Sequence, residues 1–469
     1  MKRPNLFIIH CDELNFRTLG CYRDTLCEDQ AFMWGKDGVC KTPYIDSIAK
    51  EGVILSKCYV ATPVCSPSRA SFMTGRYPHN TNVTGNHTQM KKDIITFGHT
   101  LSNWGYETGY AGKWHLEGKE YGVQDQDKNW SVGEGRGFKD HEYMFNDGHF
   151  KSIYEIDGKR QCDYWSSRAT DKTYVTDYLT DKSLDFIDKN KDKPFAYMVS
   201  IPDPHTPHEV RHPYKEMFKN IDFKDARTKG YNVDSEHPQL NDNYANSVDN
   251  DLSMHKYLGM LKCIDENVGK IIRKLKDNNL YDDTIIVFTS DHGSMLGEHS
   301  RKGKATIYEA AAKVPFMIRY PKDIAPGTQI DHVMNTVDFM PTIFGLMDIN
   351  PAPARQQWQG RDISSVIKGE ILNQEDDIVF LRGYVDCPGS DFGWLAAITP
   401  RYKLLVDNKS YLIDMEKDPD ETQNFIDDPN YKNVLRFLSH KLLEYGKKYN
   451  DPKIHRPNLN DQIHKFMNY

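Results

Sequence analysis

Four short apolar runs, each breaking off into acids, imidazoles or a lysine, limit what this chain can fold into more than any other feature. Leu6-Phe7-Ile8-Ile9 leads to Cys11-Asp12-Glu13, and Glu107-Thr108-Gly109-Tyr110-Ala111 leads to Gly112-Lys113-Trp114-His115. Phe195-Ala196-Tyr197-Met198-Val199 precedes Asp203-Pro204-His205-Thr206-Pro207-His208, and Thr284-Ile285-Ile286-Val287-Phe288 precedes Ser290-Asp291-His292-Gly293. Short apolar runs bounded by turn residues read as strands buried on both faces. Longer amphipathic stretches separate them and predict helices near 43–52, 67–74, 93–104, 174–190, 253–279 and 335–346. The expected fold is α/β, with a mostly parallel central sheet flanked by helices. Ligands of such sheets sit beyond the carboxyl ends of the strands. Four polar strand ends on one rim therefore predict a catalytic site.

Residues 120–190 and 209–250 pattern poorly and read as excursions over that rim, where substrate loops usually lie. After about 375 the rhythm changes to short strands joined by turns: Asp377–Leu381, Trp394–Ile398, Tyr402–Val406 and Tyr411–Asp414. They predict a small antiparallel sheet followed by a terminal helix near 430–448. The expected division is a catalytic domain over 1–375 and a C-terminal subdomain over 376–469.

Composition removes several function classes. The net charge is -7 and no Lys/Arg-rich run occurs, so the electrostatic footprint of a nucleic-acid binder is missing. An anion would have to be met by positive charge concentrated in a pocket. Nine cysteines without a Cys-x-x-Cys pair argue against a closed zinc cluster and a fully paired disulfide framework. The apolar run after Met1-Lys2-Arg3-Pro4-Asn5 is too short for a signal-peptide core or a membrane span. As it stands the chain reads as cytoplasmic, and as periplasmic or secreted if a leader was removed. Oligomeric state is not legible.

The most informative segment is Cys65-Ser66-Pro67-Ser68-Arg69-Ala70-Ser71-Phe72-Met73-Thr74-Gly75-Arg76. Ser66 suits an N-cap, Pro67 the first helical position and Gly75 the stop. Cys65 then lies at the mouth of a short helix that favours an anion, with Arg69 four residues on along the same face. A lone cysteine near an arginine is more often structural; the whole string weighs against that. It resembles the sulfatase signature: Cys-x-Pro-Ser-Arg, then a hydrophobic position, Thr, Gly and Arg.

The resemblance implies that an activating, formylglycine-generating enzyme oxidises Cys65 to formylglycine, whose hydrate carries two hydroxyls on one carbon. One attacks sulfur, and deprotonation of the other expels sulfate. It also implies an alkaline-phosphatase-like fold and one divalent cation, most often calcium, on residues matching Asp12, Glu13, Asp291 and His292. Carboxylates suit such a hard cation, whereas an imidazole is softer. Gly112-Lys113-Trp114-His115, His205-Thr206-Pro207 and Lys304-Ala305-Thr306-Ile307-Tyr308-Glu309 resemble further family segments. By that resemblance Lys113 and Arg69 stabilise the nucleophile's oxyanion, His115 is the base, and His205 and Lys304 hold sulfate and protonate the leaving oxygen.

The implied substrate is a sulfated small molecule or glycan. His149 and Lys151 in the middle excursion, and His208 and Arg211 after His205, are candidates to contact it. Trp130, Tyr143, Trp165 and Trp394 are candidate stacking surfaces. Three alternatives stand beside this reading: a phosphonate monoester or phosphodiester hydrolase, a two-zinc phosphatase, and a non-catalytic sulfoglycan-binding protein.

Overall fold

The computed structural model describes residues 3–118, 129–130, 132, 135–231, 253–351, 354–371, 377–384 and 393–469. All four expected core strands are present, and each runs on to the polar residues beyond it. They span Asn5–Asp12, Glu107–Lys113, Phe195–Pro204 and Thr284–Ser290. They form the middle of an eight-stranded sheet, ordered Thr328–Ile330, Val53–Leu55, Phe316–Arg319, Thr284–Ser290, Asn5–Asp12, Phe195–Pro204, Glu107–Lys113, Met144–Phe145. All pairings are parallel except those of Phe316–Arg319 with its two neighbours.

Alternation along the strands sends side chains to two separate cores. Phe7, Ile9, Tyr197, Val199, Ile286 and Phe288 pack on one face with the helices Val175–Asn190 and Met254–Asp277. Leu6, Ile8, Ala196, Met198, Ile285 and Val287 pack on the other with Cys65–Thr74, Phe97–Asn103 and Phe339–Leu346. Each fully buried Leu, Ile or Phe contributes roughly 1.5–3 kcal/mol. Burial on both faces explains why these runs lack polar alternation.

The C-terminal strands Val379–Arg382, Leu395–Ile398, Tyr402–Val406 and Tyr411–Asp414 pair antiparallel in chain order. One face carries the helices Lys432–Tyr449 and Pro457–Met467, the second of which the sequence reading lacked. The other face packs on Tyr59, Tyr308 and Ala310–Ala312. Across that seam the buried Lys403 ammonium reaches Glu309 at 2.6 Å and Glu421 at 2.7 Å. The boundary expected at 375/376 falls outside the described residues, as do residues 120–128, 131, 133–134 and 232–250 of the two excursions. Residues 152–163 of the middle excursion form a hairpin, Ser152–Ile156 with Lys159–Asp163. Among the described residues no cysteine is paired, and no helix is long and apolar enough to cross a membrane.

Candidate active site

Parallel register brings the acids together. His10 stands opposite Ser200 on one neighbouring strand and Thr289 on the other, and Cys11 opposite Ser290, so the chain leaves all three strands at one level. There the Asp291 N–H donates to the Cys11 carbonyl (3.1 Å), and the Glu13 N–H donates to Asp291 Oδ1 (3.1 Å). Two glycines permit the close approach. A Cβ on Gly112 (φ +103°) would lie 1.9 Å from the Ser200 carbonyl oxygen, and one on Gly293 would lie 2.0 Å from that of Ala310. Lys113 and His292 are placed beside them.

The helix that carries Cys65 spans Cys65–Thr74 and ends on Gly75 at φ +66°. It begins two residues earlier than a Ser66 cap and Pro67 start would give. Ser66 does not cap it; the Ser66 N–H instead donates to Asn86 Oδ1 (3.1 Å). Cys65 therefore sits inside the first turn. Its Sγ is 3.2 Å from His292 Nε2, 3.3 Å from Lys304 Nζ and 3.9 Å from Asp12 Oδ1. Burial and Asp12 push the thiol pKa up, but Lys113, Lys304 and His292 outweigh them and hold it below the ordinary value.

Asp12, Cys65, Asp291 and His292 each offer a donor atom, all within 4.8 Å of one another. Burial opposes the charge on both carboxylates. Lys113, His205, His149 and Arg69 nonetheless lower the Asp12 pKa, and His292 and Arg69 lower that of Asp291. His292 Nδ1 lies 2.8 Å from the Gly293 carbonyl oxygen, leaving Nε2 turned into the group. Two carboxylates and an imidazole anchored through its other nitrogen fit a divalent cation.

The Arg69 guanidinium meets four protein acceptors. Its Nε donates to Asp291 Oδ2 (2.8 Å), one terminal nitrogen to Asp12 Oδ2 (3.2 Å), and the other to the Lys113 carbonyl (2.8 Å) and Ser200 Oγ (2.7 Å). It braces the carboxylates, a role that helix position plus charge alone did not show. Glu13, expected among the metal ligands, has φ +66° and turns its carboxylate away. That carboxylate meets Lys304 Nζ (3.0 Å), His205 Nε2 (3.2 Å) and Ser294 Oγ (3.0 Å).

Lys113 Nζ bridges Asp12 Oδ2 (2.8 Å) and His149 Nε2 (2.5 Å). Asp12, His149 and His205 also lie close enough to hold a cation, but the Lys113 ammonium already supplies positive charge there. His149 stacks on His205 with centroids 3.5 Å apart. Burial and neighbouring cations keep both rings neutral, with the His149 pKa lowered to about 3. His115 is 4% exposed, and among the described residues neither ring nitrogen has a hydrogen-bond partner. Burial, Lys113, His149 and Arg69 hold its pKa well below the ordinary value.

Of the residues expected to touch substrate, His149 alone joins this cluster. Lys151 is fully buried and braces the strand end, donating to Asp203 Oδ1 (2.7 Å) and the His205 carbonyl (2.8 Å). Arg211 forks onto Asp177 (2.7 and 3.0 Å) on the helix Val175–Asn190. His208 is buried edge-on against Tyr257, and its Nδ1 accepts the Ser253 N–H at 3.3 Å. Among the expected stacking surfaces, Trp394 and Trp130 are core, and Tyr143 packs on Tyr178; Trp165 alone is exposed. The sequence reading missed Ser200 and Ser294, which serve the site through hydrogen bonds and carry no local signal; Asp203, read only as part of a polar strand end, holds Lys151.

Fold and site together define a hydrolase of an oxyanion ester, with a buried thiol in the first turn of a helix beside carboxylates and cationic side chains. The sulfatase family model matches residues 4–349, and the model of the N-sulphoglucosamine sulphohydrolase C-terminal region matches 297–448. An N-acetylglucosamine-6-O-sulfatase of Bacteroides thetaiotaomicron is 27% identical, over 96% of this chain and 87% of its own length. A solved structure in complex with its substrate D-glucosamine-2-N,6-O-disulfate is 25% identical, with TM-score 0.74, covering 96% of this chain and 99% of that one. The phosphonate monoester hydrolase of Agrobacterium radiobacter shares the fold at TM-score 0.75 and 22% identity, covering 95% and 96%. The chain belongs to the sulfatase family, the sulfuric ester hydrolases of the alkaline-phosphatase-like superfamily.

Proposed function

We propose that this enzyme hydrolyses a sulfate ester on a carbohydrate, with residue 65 as nucleophile after conversion to formylglycine. The observation that carries the reading is the position of Cys65 Sγ, 3.2 Å from His292 Nε2 and 3.3 Å from Lys304 Nζ. Formylglycine at that position supplies a hydrated aldehyde, a nucleophile that can release sulfate afterwards. Asp12, Asp291 and His292 would hold one divalent cation, with calcium the first candidate. When bound, such a cation polarises a sulfate oxygen and lowers the pKa of a coordinated hydroxyl.

The remaining work belongs to the chain's own groups. Lys304 and Lys113 place positive charge beside residue 65, where the anionic sulfate oxygens would lie as charge shifts to the leaving oxygen. His205 Nδ1 lies 2.8 Å from the Thr206 carbonyl oxygen and its Nε2 3.2 Å from Glu13, so the ring, once it takes up a proton with Glu13 as countercharge, can pass that proton from Nε2 to the leaving oxygen. Arg69 keeps Asp12 and Asp291 ionised for the cation. The sugar assignment is supported by the relative that acts on N-acetylglucosamine and by the glucosamine disulfate complex. We assign catalysis to a domain over 1–375 and a supporting role to 376–469.

The test is the mass of the Cys65 peptide after co-expression with a formylglycine-generating enzyme. The thiol-to-aldehyde change removes about 18 Da. Modified protein should then release sulfate from glucosamine 6-sulfate faster than it cleaves an aryl phosphodiester. The reverse preference supports the phosphonate hydrolase alternative. An unmodified Cys65 beside a working positive control would support a non-catalytic binder.

A further inference from the structure

One carboxylate faces the unpartnered ring of His115. Asp147 Oδ1 lies 3.7 Å from His115 Nε2, and the Asp147 side chain is 14% exposed. The backbone holds the two residues in place. His115 sits at φ +60° and its N–H donates to the Asn146 carbonyl at 2.5 Å. Asn129 grips Asp147 from both sides, accepting its N–H at 2.8 Å and donating to its carbonyl. Asn146 Oδ1 in turn accepts the Glu117 N–H at 2.9 Å.

A buried imidazole that takes a proton needs a countercharge. Besides burial, the strongest electrostatic influences on His115 are Lys113, His149 and Arg69, which oppose its protonation, and Asp12, which favours it; Asp147 faces it at 3.7 Å. Asp12 is committed to Lys113 (2.8 Å) and Arg69 (3.2 Å). Among the described residues Asp147 has no such lysine or arginine partner within the site, and its Oδ1 accepts the N–H of Gly148 at 2.6 Å.

We infer that Asp147 is a positioning residue for ester hydrolysis: it fixes one tautomer of His115 and neutralises the ring when it is protonated. With Nε2–H turned to the carboxylate, Nδ1 keeps its lone pair. The remaining hydroxyl on residue 65 loses its proton to Nδ1, its oxygen forms the aldehyde C=O as the C–O bond to sulfate breaks, the imidazolium forms beside Asp147, and the proton leaves to water once sulfate has gone. The inference rests on the reading of His115 as the catalytic base.

Asp147→Asn, Asp147→Glu and His115→Ala, each in the full chain and matched for Cys65 conversion by peptide mass, test it. Rates are read on 4-nitrophenyl sulfate and glucosamine 6-sulfate across pH. Asp147→Asn should lower kcat about tenfold or more, below the ~10²–10⁴ typical of losing a general base itself. KM should stay within about twofold and the acidic limb of the pH–rate profile should move to lower pH, because the ring loses its countercharge. Asp147→Glu should recover part of kcat and keep the limb in place; if Asp147→Asn does not fold, this profile against wild type carries the test. Wild-type kcat and profile in Asp147→Asn would overturn the inference, as would a raised KM with unchanged kcat or equal losses in both Asp147 variants with an unmoved limb. Wild-type turnover in His115→Ala would overturn the base reading itself. An inactive His115→Ala beside an indifferent Asp147→Asn would overturn only the role of Asp147.

Discussion

Lys304 Nζ stands 3.3 Å from Cys65 Sγ and 3.0 Å from Glu13 Oε2, so one ammonium links the nucleophile to the acid that also holds His205. Lys304→Ala should therefore lower kcat on a sulfate ester by about 10²–10³, the range for losing one preorganised stabilising group. Single-turnover rates on 4-nitrophenyl sulfate would read this directly. An unchanged rate would remove Lys304 from the site's chemistry.

Asp291 serves the cation group and Arg69 together. Asp291→Asn leaves the Arg69 Nε without its ionised partner and removes one carboxylate donor. Breaking a buried pair from one side costs about 3–5 kcal/mol. Metal content by elemental analysis, melting temperature and activity should all fall. A variant that binds metal and turns over like wild type would refute the assignment.

Arg211 offers a contrasting case. Its fork lies on Asp177, which also accepts from Asn267 and Lys270. Arg211→Ala should destabilise the fold by about 2–3 kcal/mol, because a buried carboxylate loses its main partner. KM should not change. Denaturant titration beside steady-state kinetics separates the two effects, and a raised KM at wild-type stability would restore Arg211 as a substrate contact.

Glu298 should make stability depend on pH. Burial pushes its pKa up to about 7 despite Arg17 and Asn15. The raised value means that the neutral acid is favoured in the fold. Its contribution is whole below the unfolded value of about 4.5 and is lost as pH rises through about 7. Glu298→Gln should flatten the fall in melting temperature between about pH 5 and pH 8. Parallel curves for variant and wild type would show that Glu298 does not titrate in that window.

Much of the site was legible because strand ends in a buried parallel sheet have few places to go. Asp12, Lys113, His205 and Asp291 stand just beyond the apolar runs, and Cys65 and Lys304 lie in segments that resemble a family. The candidate substrate contacts were less legible, for one physical reason. Lys151, His208 and Arg211 carry the same chemistry as the residues gathered at the strand ends, but each is held by a buried partner: Asp203, the Ser253 amide and Asp177. Nothing local to a residue states which partner burial will bring to it.

By itself the sequence determined the period and length of the apolar runs, the glycines that let Lys113 and His292 approach, and the order of reactive residues along the chain. Those are local properties, set by side-chain size, polarity and backbone freedom. The tertiary structure alone decided which of two equivalent charges faces the nucleophile. Arg69 turned to Asp12 and Asp291, Glu13 to Lys304, and Asp147 to His115. Each of these pairings joins residues in or beside different elements, far apart in the chain. In a buried site a charge settles on whichever opposite charge or polar group the packing leaves within reach, so its partner is fixed only when the whole sheet has closed.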